Sequence, residues 1–313
     1  MKATKLKLHF ELLVVVSLVM VFGFITHQRN FVWKDDFSFW SDAVIKSPDK
    51  YRPRHNLGLV YSRAEQYDLA LEEYGEALRA MPASSKTHVN IGRVHEKMGQ
   101  NELAIAKYKK ALEIDPYDYK AYTSLGEIYN KKGFVDMAVS MYKQAIKINP
   151  LYINARKAIG NAYLNKRLIN LAVKEYITIL QIDSDNASVH YNLGIAYDET
   201  RQLKKAIIQY QKAIDIKPEY PEASSNLGII YGKMGLLDQS IQQLNMSLDI
   251  NPRDPITMFN LALAYEQLAK KKEQRSEGKE LRVKAVRTYE KVLKVDPRNV
   301  QARERLRELR AKR

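Results

Sequence analysis

The side chains able to do chemistry are few, and their spacing assembles no reactive set. His88 and His95 are seven residues apart and share one helical face, but both stand where the chain elsewhere places packing aromatics. They are expected as core or half-exposed histidines. No P-loop, HExxH, GxSxG or dinucleotide glycine pattern occurs, and Gly232 and Gly235 read as turn and packing glycines. Cysteine is absent, which excludes disulfides, thiolate metal sites and a cysteine-anchored lipoprotein together. Asn186-Ala-Ser and Asn245-Met-Ser are formal glycosylation triplets, meaningful only in a eukaryotic secretory setting. The expectation is a non-enzyme, with no catalytic residue, no cofactor and no metal.

What does recur is an amide. Asn56, Asn90, Asn192, Asn226 and Asn260 each come directly before a Leu or Ile followed by Gly or Ala. Such a side chain can donate to a carbonyl and accept from an N–H. An internal repeat sets their spacing. Between Tyr119 and Pro150 come Leu125-Gly126, Tyr129, Gly133, Ala138, Tyr142 and Ala145, and 34 residues either way the same types return. Leu57-Gly58, Ile91-Gly92, Ile159-Gly160, Leu193-Gly194, Leu227-Gly228 and Leu261-Ala262 hold the place of the first pair. A fixed period of that length marks a repeat array.

Apolar residues at helical spacing on two segments with a short turn between them make each repeat an antiparallel helix pair. Gly126, Ala138 and Ala145 let the two backbones approach, and Tyr129 and Tyr142 fill the space beside them. All ten prolines fall at helix borders in this register, closing second helices or opening first ones. With 313 residues, 45% hydrophobic and 28% charged, the core is expected to spread along a solenoid. No alternating run suggests a sheet.

These residues resemble the tetratricopeptide repeat from Tyr51 onward. The resemblance implies an all-α fold, a right-handed superhelical solenoid of antiparallel helix pairs whose first helices line a concave groove. Seven repeats are expected, 51–84, 85–118, 119–152, 153–186, 187–220, 221–254 and 255–298. A half-repeat helix over 35–50 and a basic capping helix over 299–313 would close the two ends. In tetratricopeptide proteins that read extended peptides, including the repeat arm of O-linked N-acetylglucosamine transferase, asparagines at this place form a ladder to the ligand backbone. The other reading is that asparagine is simply common there. A carboxylate clamp of the chaperone-tail type is similar at Lys157, Asn161 and Asn192, but Glu222 and Asn226 stand where two basic residues are wanted. That clamp is rejected.

Three repeats depart from the pattern. The fourth has Ile179 and Ser184 where Ala and Pro are expected. The sixth has Ser240, Leu244 and Ser247 for Ala, Tyr and Ala, so its second helix should be the loosest. The seventh separates Tyr265 from Ala285 by 20 residues instead of 9, which lengthens both helices around Gly278. Alanine at Gly278 should therefore cost little.

Lys2, Lys5 and Lys7 precede an apolar run from Leu12 to Ile25, extending to Leu8 if Glu11 is tolerated. The expectation is an uncleaved transmembrane anchor within residues 1–34, because no small-residue cleavage site follows the run. The flanking charge puts the N-terminus in the cytoplasm and the repeats outside it, a single-pass protein of a bacterial inner membrane facing the periplasm. The junction RNFVWKDDFSFWSDAVIKSP followed by RHNLGLVY also resembles that of bacterial O-mannosyltransferase-like membrane proteins. Their preceding membrane helices and catalytic acids have no counterpart here.

The formal charge is +15, and the stretch from Lys270 to Arg313 carries 17 Lys or Arg against 7 Asp or Glu. Anionic surfaces are one possible partner for it; a solvated cap with interleaved Glu304 and Glu308 is the plainer reading. Nucleic acid is not expected as a partner. The groove is expected to have two halves, one basic with Arg52, His55, Lys86, Arg93 and Lys120, and with Lys97 and Lys131 near the helix ends. The other carries Tyr191, Ile195, Ile229, Phe259 and Leu263 as an exposed apolar strip beside Asn192, Asn226 and Asn260, unless winding buries them between first helices. The function expected is a membrane-anchored scaffold or adaptor that binds a protein or peptide partner in this groove. The alternative is an accessory or split remnant of a membrane glycosyltransferase that presents acceptor protein.

Overall fold

The computed structural model describes residues 16–23 and 34–311, and every regular element among them is an α-helix. Cα packing divides the chain into two compact units, the first ending at Pro150 and the second starting at Leu151.

The first unit holds α1 (Asp36–Lys46), α2 (Tyr51–Arg63), α3 (Tyr67–Ala80), α4 (Ser85–Lys97), α5 (Asn101–Ile114), α6 (Tyr119–Lys131) and α7 (Val135–Ile148). The second holds α8 (Ile153–Asn165), α9 (Ile169–Ile182), α10 (Ala187–Glu199), α11 (Leu203–Ile216), α12 (Pro221–Lys233) and α13 (Leu237–Ile250). It ends with α14 (Pro255–Lys271), α15 (Ser276–Val295) and α16 (Val300–Ala311). Within each unit consecutive helices pack as antiparallel pairs, and each pair packs on the next.

Local chemistry sets the helix ends. Ser84, Asp118, Asn186 and Asp254 accept from backbone N–H groups in the first turns of α4, α6, α10 and α14. Second helices lack side-chain caps, and all but α15 are entered through a turn residue in the left-handed region. That residue is Gly99, Gly133 or Gly235 in three turns and Glu65, Arg167 or Arg201 in the other three. The following N–H closes back on the first helix, as Gln100 N does on His95 O at 2.8 Å.

The pairs are held by one recurring contact. Tyr74, Tyr108, Tyr142, Tyr176 and Tyr210 are at most 2% exposed, and each lays its ring against a glycine of the preceding first helix. A Cβ on Gly58, Gly92, Gly126, Gly160 or Gly194 would stand 2.6–2.7 Å from that ring. Each buried ring removes roughly 200 Å² from water, a gross stabilisation on the order of 5 kcal/mol before entropy and phenol desolvation. In the sixth pair Leu244 takes the tyrosine's place over Gly228. Ser240 and Ser247 leave no orphaned hydroxyls, since they donate to Gly228 O at 2.7 Å and Pro221 O at 2.8 Å. Helix α13 has the same 14 residues as the second helices of the first five pairs. The long seventh hairpin is built from 17 residues in α14 and 20 in α15.

The expectation of a membrane span is corrected. Among the described residues no helix is long and apolar enough to cross a membrane, so a single-pass membrane protein is not supported. Helical residues 16–23 would rise only about 12 Å. The remainder of the run from Leu12 to Ile25 lies outside the described residues, as does Trp33.

Candidate functional site

In the first unit, a polar knot ties the start of α2 to the start of α4. Tyr51 OH lies 2.9 Å from Ser84 Oγ and 3.2 Å from His55 Nδ1, and His55 Nδ1 lies 2.9 Å from Thr87 Oγ1. Asn90 Nδ2 reaches His55 Nε2 at 3.5 Å. The His55 ring also sits 5.2 Å from that of Tyr51 and 5.7 Å from that of Tyr74. Burial first, then the nearby Lys86 charge, hold His55 below its ordinary pKa. Asn56 is half-buried on the same helix.

The cations predicted around this knot divide into two kinds. Arg52, Lys86, Arg93 and Lys120 are exposed and form no ion pair among the described residues. Lys120 lies 5.9 Å from the Tyr119 ring centroid. Lys97 is also exposed, but Lys131 is bound to Glu96 at 2.5 Å. Glu96 also accepts from Tyr108 OH at 3.2 Å. Burial and then Glu96 push the neighbouring Glu127 carboxyl up. The basic half thus contains two carboxylates that a count of positive side chains passed over. Glu127 stands 34 residues after Arg93, at the same place one repeat on, and that was the available signal.

In the second unit, each asparagine of the row commits its amide nitrogen to a protein acceptor. Asn192 Nδ2 donates to Asn161 Oδ1 at 2.9 Å, and the same oxygen accepts from Tyr176 OH at 2.7 Å. Asn226 Nδ2 reaches the phenols of Tyr191 and Tyr210, each at 3.4 Å. Asn260 Nδ2 donates to Ile256 O at 2.8 Å. Burial pushes the Tyr176 and Tyr210 phenols above their ordinary range and Tyr220 to about 12. These groups therefore act as neutral donors and acceptors at physiological pH.

The apolar residues do not form an exposed strip. Tyr191, Ile195, Ile229, Phe259 and Leu263 are all half-buried. Tyr191 sits against Tyr220 at 5.0 Å and Tyr210 at 5.8 Å, and Phe259 meets Tyr289 edge-on at 5.8 Å. Ile195 packs on the core around Tyr210, and Ile229 on that around Leu244. Packing of each repeat on the next covers part of a face that helical periodicity leaves bare.

His88 is buried, as the packing pattern predicts. The basic C-terminal stretch is laced by ion pairs, among them Arg310–Glu290 at 2.7 Å, Lys284–Glu280 at 2.8 Å and Arg305–Glu308 at 3.5 Å. No group of three or more His, Asp or Glu side chains suited to a metal ion occurs among the described residues.

The family described as tetratricopeptide repeat matches residues 51–83 and 119–150, and the one described as TPR repeat matches 97–133 and 201–235. Among solved structures, the chain is similar to the C-terminal part of a TPR repeat-containing protein from Cytophaga hutchinsonii. The TM-score is 0.62 at 18% identity over 79% of this chain and 97% of that one. Pseudomonas aeruginosa pilF gives 0.58 at 18% identity, over 66% of this chain and 94% of that one. Cut9–Hcn1 of the APC/C gives 0.59 at 16% identity, over 87% of this chain and 52% of that one. These identities show the fold alone. No curated protein matches the chain. The matches lend no support to the O-mannosyltransferase-like junction or to the glycosyltransferase alternative. Proteins of this repeat family are generally non-enzymatic scaffolds. Over the matched residues the chain carries tetratricopeptide repeats, a helical scaffold suited to protein–protein interaction.

Proposed function

We propose that the first-helix face of the second unit binds an extended peptide segment of a protein partner, with the repeats divided at the boundaries given above. One observation carries this reading. Asn192, Asn226 and Asn260 each commit their amide nitrogen to the protein, while their Oδ1 atoms accept no hydrogen bond among the described residues. That leaves one carbonyl acceptor on each of three successive first helices. Neighbouring helices sit roughly 10 Å apart, so a chain in the polyproline II conformation, with about 3 residues per turn and a rise of about 3.1 Å per residue, could present an N–H to each rung at every third residue. Half-buried Tyr191, Ile195, Ile229, Phe259 and Leu263 supply apolar contact beside the rungs.

In the first unit, Asn56 and Asn90 hold the same place, and the unpaired cations Arg52, Lys86, Arg93 and Lys120 favour an acidic segment. The test is a random 12-residue peptide library displayed on phage and selected on the full chain. Selected peptides are then titrated against wild type and the double variant Asn192→Ala, Asn226→Ala. Affinity should fall on the order of tenfold, about 1.4 kcal/mol. Equal affinity in a folded double variant would remove the amide row from the function.

A further inference from the structure

The sixth repeat lacks a ring that the others have, and the space left behind is lined in a specific way. In four of the other six pairs the tyrosine hydroxyl reaches one of three places, whereas that of Tyr74 has no hydrogen-bond partner among the described residues. It meets the residue after the paired glycine, as Tyr176 OH meets Asn161 Oδ1 at 2.7 Å. It meets the fourth residue after that small residue, as Tyr108 OH meets Glu96 at 3.2 Å and Tyr289 OH meets Glu266 at 3.0 Å. Or it meets the asparagine of the next first helix, as Tyr210 OH meets Asn226 Nδ2 at 3.4 Å. In the sixth repeat these places are Ile229, Gly232 and Asn260. All three line one cavity of about 180 Å³ between α12, α13 and α14.

Leu244 covers Gly228 as the rings do elsewhere, but its side chain ends short of that cavity, whose lining does not include it. Leu263 and Ala264 add apolar wall, and exposed Lys233 and Gln267 stand at the mouth. A Cβ at Gly232 would meet only Ser240, at 3.2 Å from its Oγ, a contact relieved by a shift of that one side chain; the bareness of the glycine keeps the cavity wide. Asn260, with no phenol to meet, turns its Nδ2 onto its own helix at Ile256 O.

We infer that this cavity is a specificity pocket for an aromatic side chain, tyrosine foremost, on the peptide that the second unit binds. The inference rests on the peptide-binding reading above. The size fits, since an engineered apolar cavity of about 150 Å³ in another protein binds benzene. The chemistry fits as well: apolar walls from Ile229, Leu263 and Ala264 take the ring, and Asn260 Oδ1, whose amide nitrogen is already committed to Ile256 O, has a lone pair to accept from the hydroxyl.

The pocket can be closed with residues this chain already uses at the same places. Leu244→Tyr restores the missing ring over Gly228, and Gly232→Glu supplies the carboxylate found at Glu96 and Glu266. Methyl-labelled full-length protein is titrated with p-cresol, following the Ile229 and Leu263 methyl signals. Wild type should show saturable shifts at both, and each filled variant should lose them while unfolding no earlier than a few degrees below wild type. Absence of saturable shifts in wild type, or equal shifts in a folded filled variant, overturns the pocket. Peptides selected on wild type should carry an invariant aromatic residue and bind Leu244→Tyr at least tenfold more weakly. If they bind both proteins alike, the pocket falls and the groove stands. If p-cresol binds but no peptide is selected, the peptide assignment falls with the groove.

Discussion

Gly194 on α10 lies flat against the ring of Tyr210 on α11, and a Cβ on the glycine would stand 2.7 Å from both Cδ1 and Cε1. Tyr210 is 1% exposed, so its ring has nowhere to retreat. Gly194→Leu should therefore destabilise the protein by about 1–3 kcal/mol through overpacking. Gly75 is also in a helix, but a Cβ there meets nothing within 4 Å. Gly75→Ala should gain up to about 1 kcal/mol of helix propensity. Thermal melts of the two variants should move in opposite directions; parallel shifts would contradict the packing described.

The long hairpin gives the reverse of what its sequence suggests. Gly278 is buried in the first turn of α15, and a Cβ would lie 2.3 Å from Lys272 O and 2.8 Å from Lys272 C, both backbone atoms. Gly278→Ala must displace that turn, at a cost of about 1–3 kcal/mol. Faster amide exchange across residues 271–281 in the variant is the expected readout. Unchanged exchange there would mean that the turn is wider than described.

Turn residues separate by their backbone demand. Gly99 has φ +75° and Arg201 has φ +56° in the same place of different pairs. A side chain in this region costs roughly 1–2 kcal/mol. Gly99→Ala should lower the melting temperature, and Arg201→Gly should raise it slightly, the relief being offset by unfolded-state entropy. Loss of stability at Arg201→Gly would show that its side chain has an unrecognised role.

His55 makes the first unit sensitive to acid. Its folded pKa is lowered by burial and by Lys86, so the unfolded chain takes up its proton first, near pH 6.5. Stability present above that pH is then lost as the pH falls through the lower folded value. Buried His88 acts in the same direction, whereas Glu127, whose carboxyl is pushed up, acts oppositely. His55→Gln should flatten the decline in melting temperature between pH 7 and pH 5. An equally steep decline in the variant would assign the effect elsewhere.

The pairing of helices was legible because small residues and tyrosines return at one spacing, and only a helix pair brings Gly126 to Tyr142. The asparagines were legible for the same reason. Side-chain periodicity names a face of one helix but not what the next repeat lays over it, so Tyr191 and Phe259 read as exposed although Tyr220 and Tyr289 cover part of them. Charge counts likewise missed that Glu96 holds Lys131 across 35 residues. Leu244 was visible as a departure, yet its consequence is a cavity, which depends on Ile229, Gly232 and Asn260 jointly. The apolar run near the N-terminus carried a membrane expectation from composition alone, and the helices described give it no support.

The central claim is that peptide lies along the first helices of the second unit, over the row of amides. A selected peptide carrying a photoreactive benzophenone, crosslinked to the full chain and mapped by mass spectrometry, tests it most directly. Crosslinks should concentrate on α10, α12 and α14, near Asn192, Asn226 and Asn260. Crosslinks gathered instead on the outer surfaces of the second helices, around exposed Leu171 and Ile208, would contradict it.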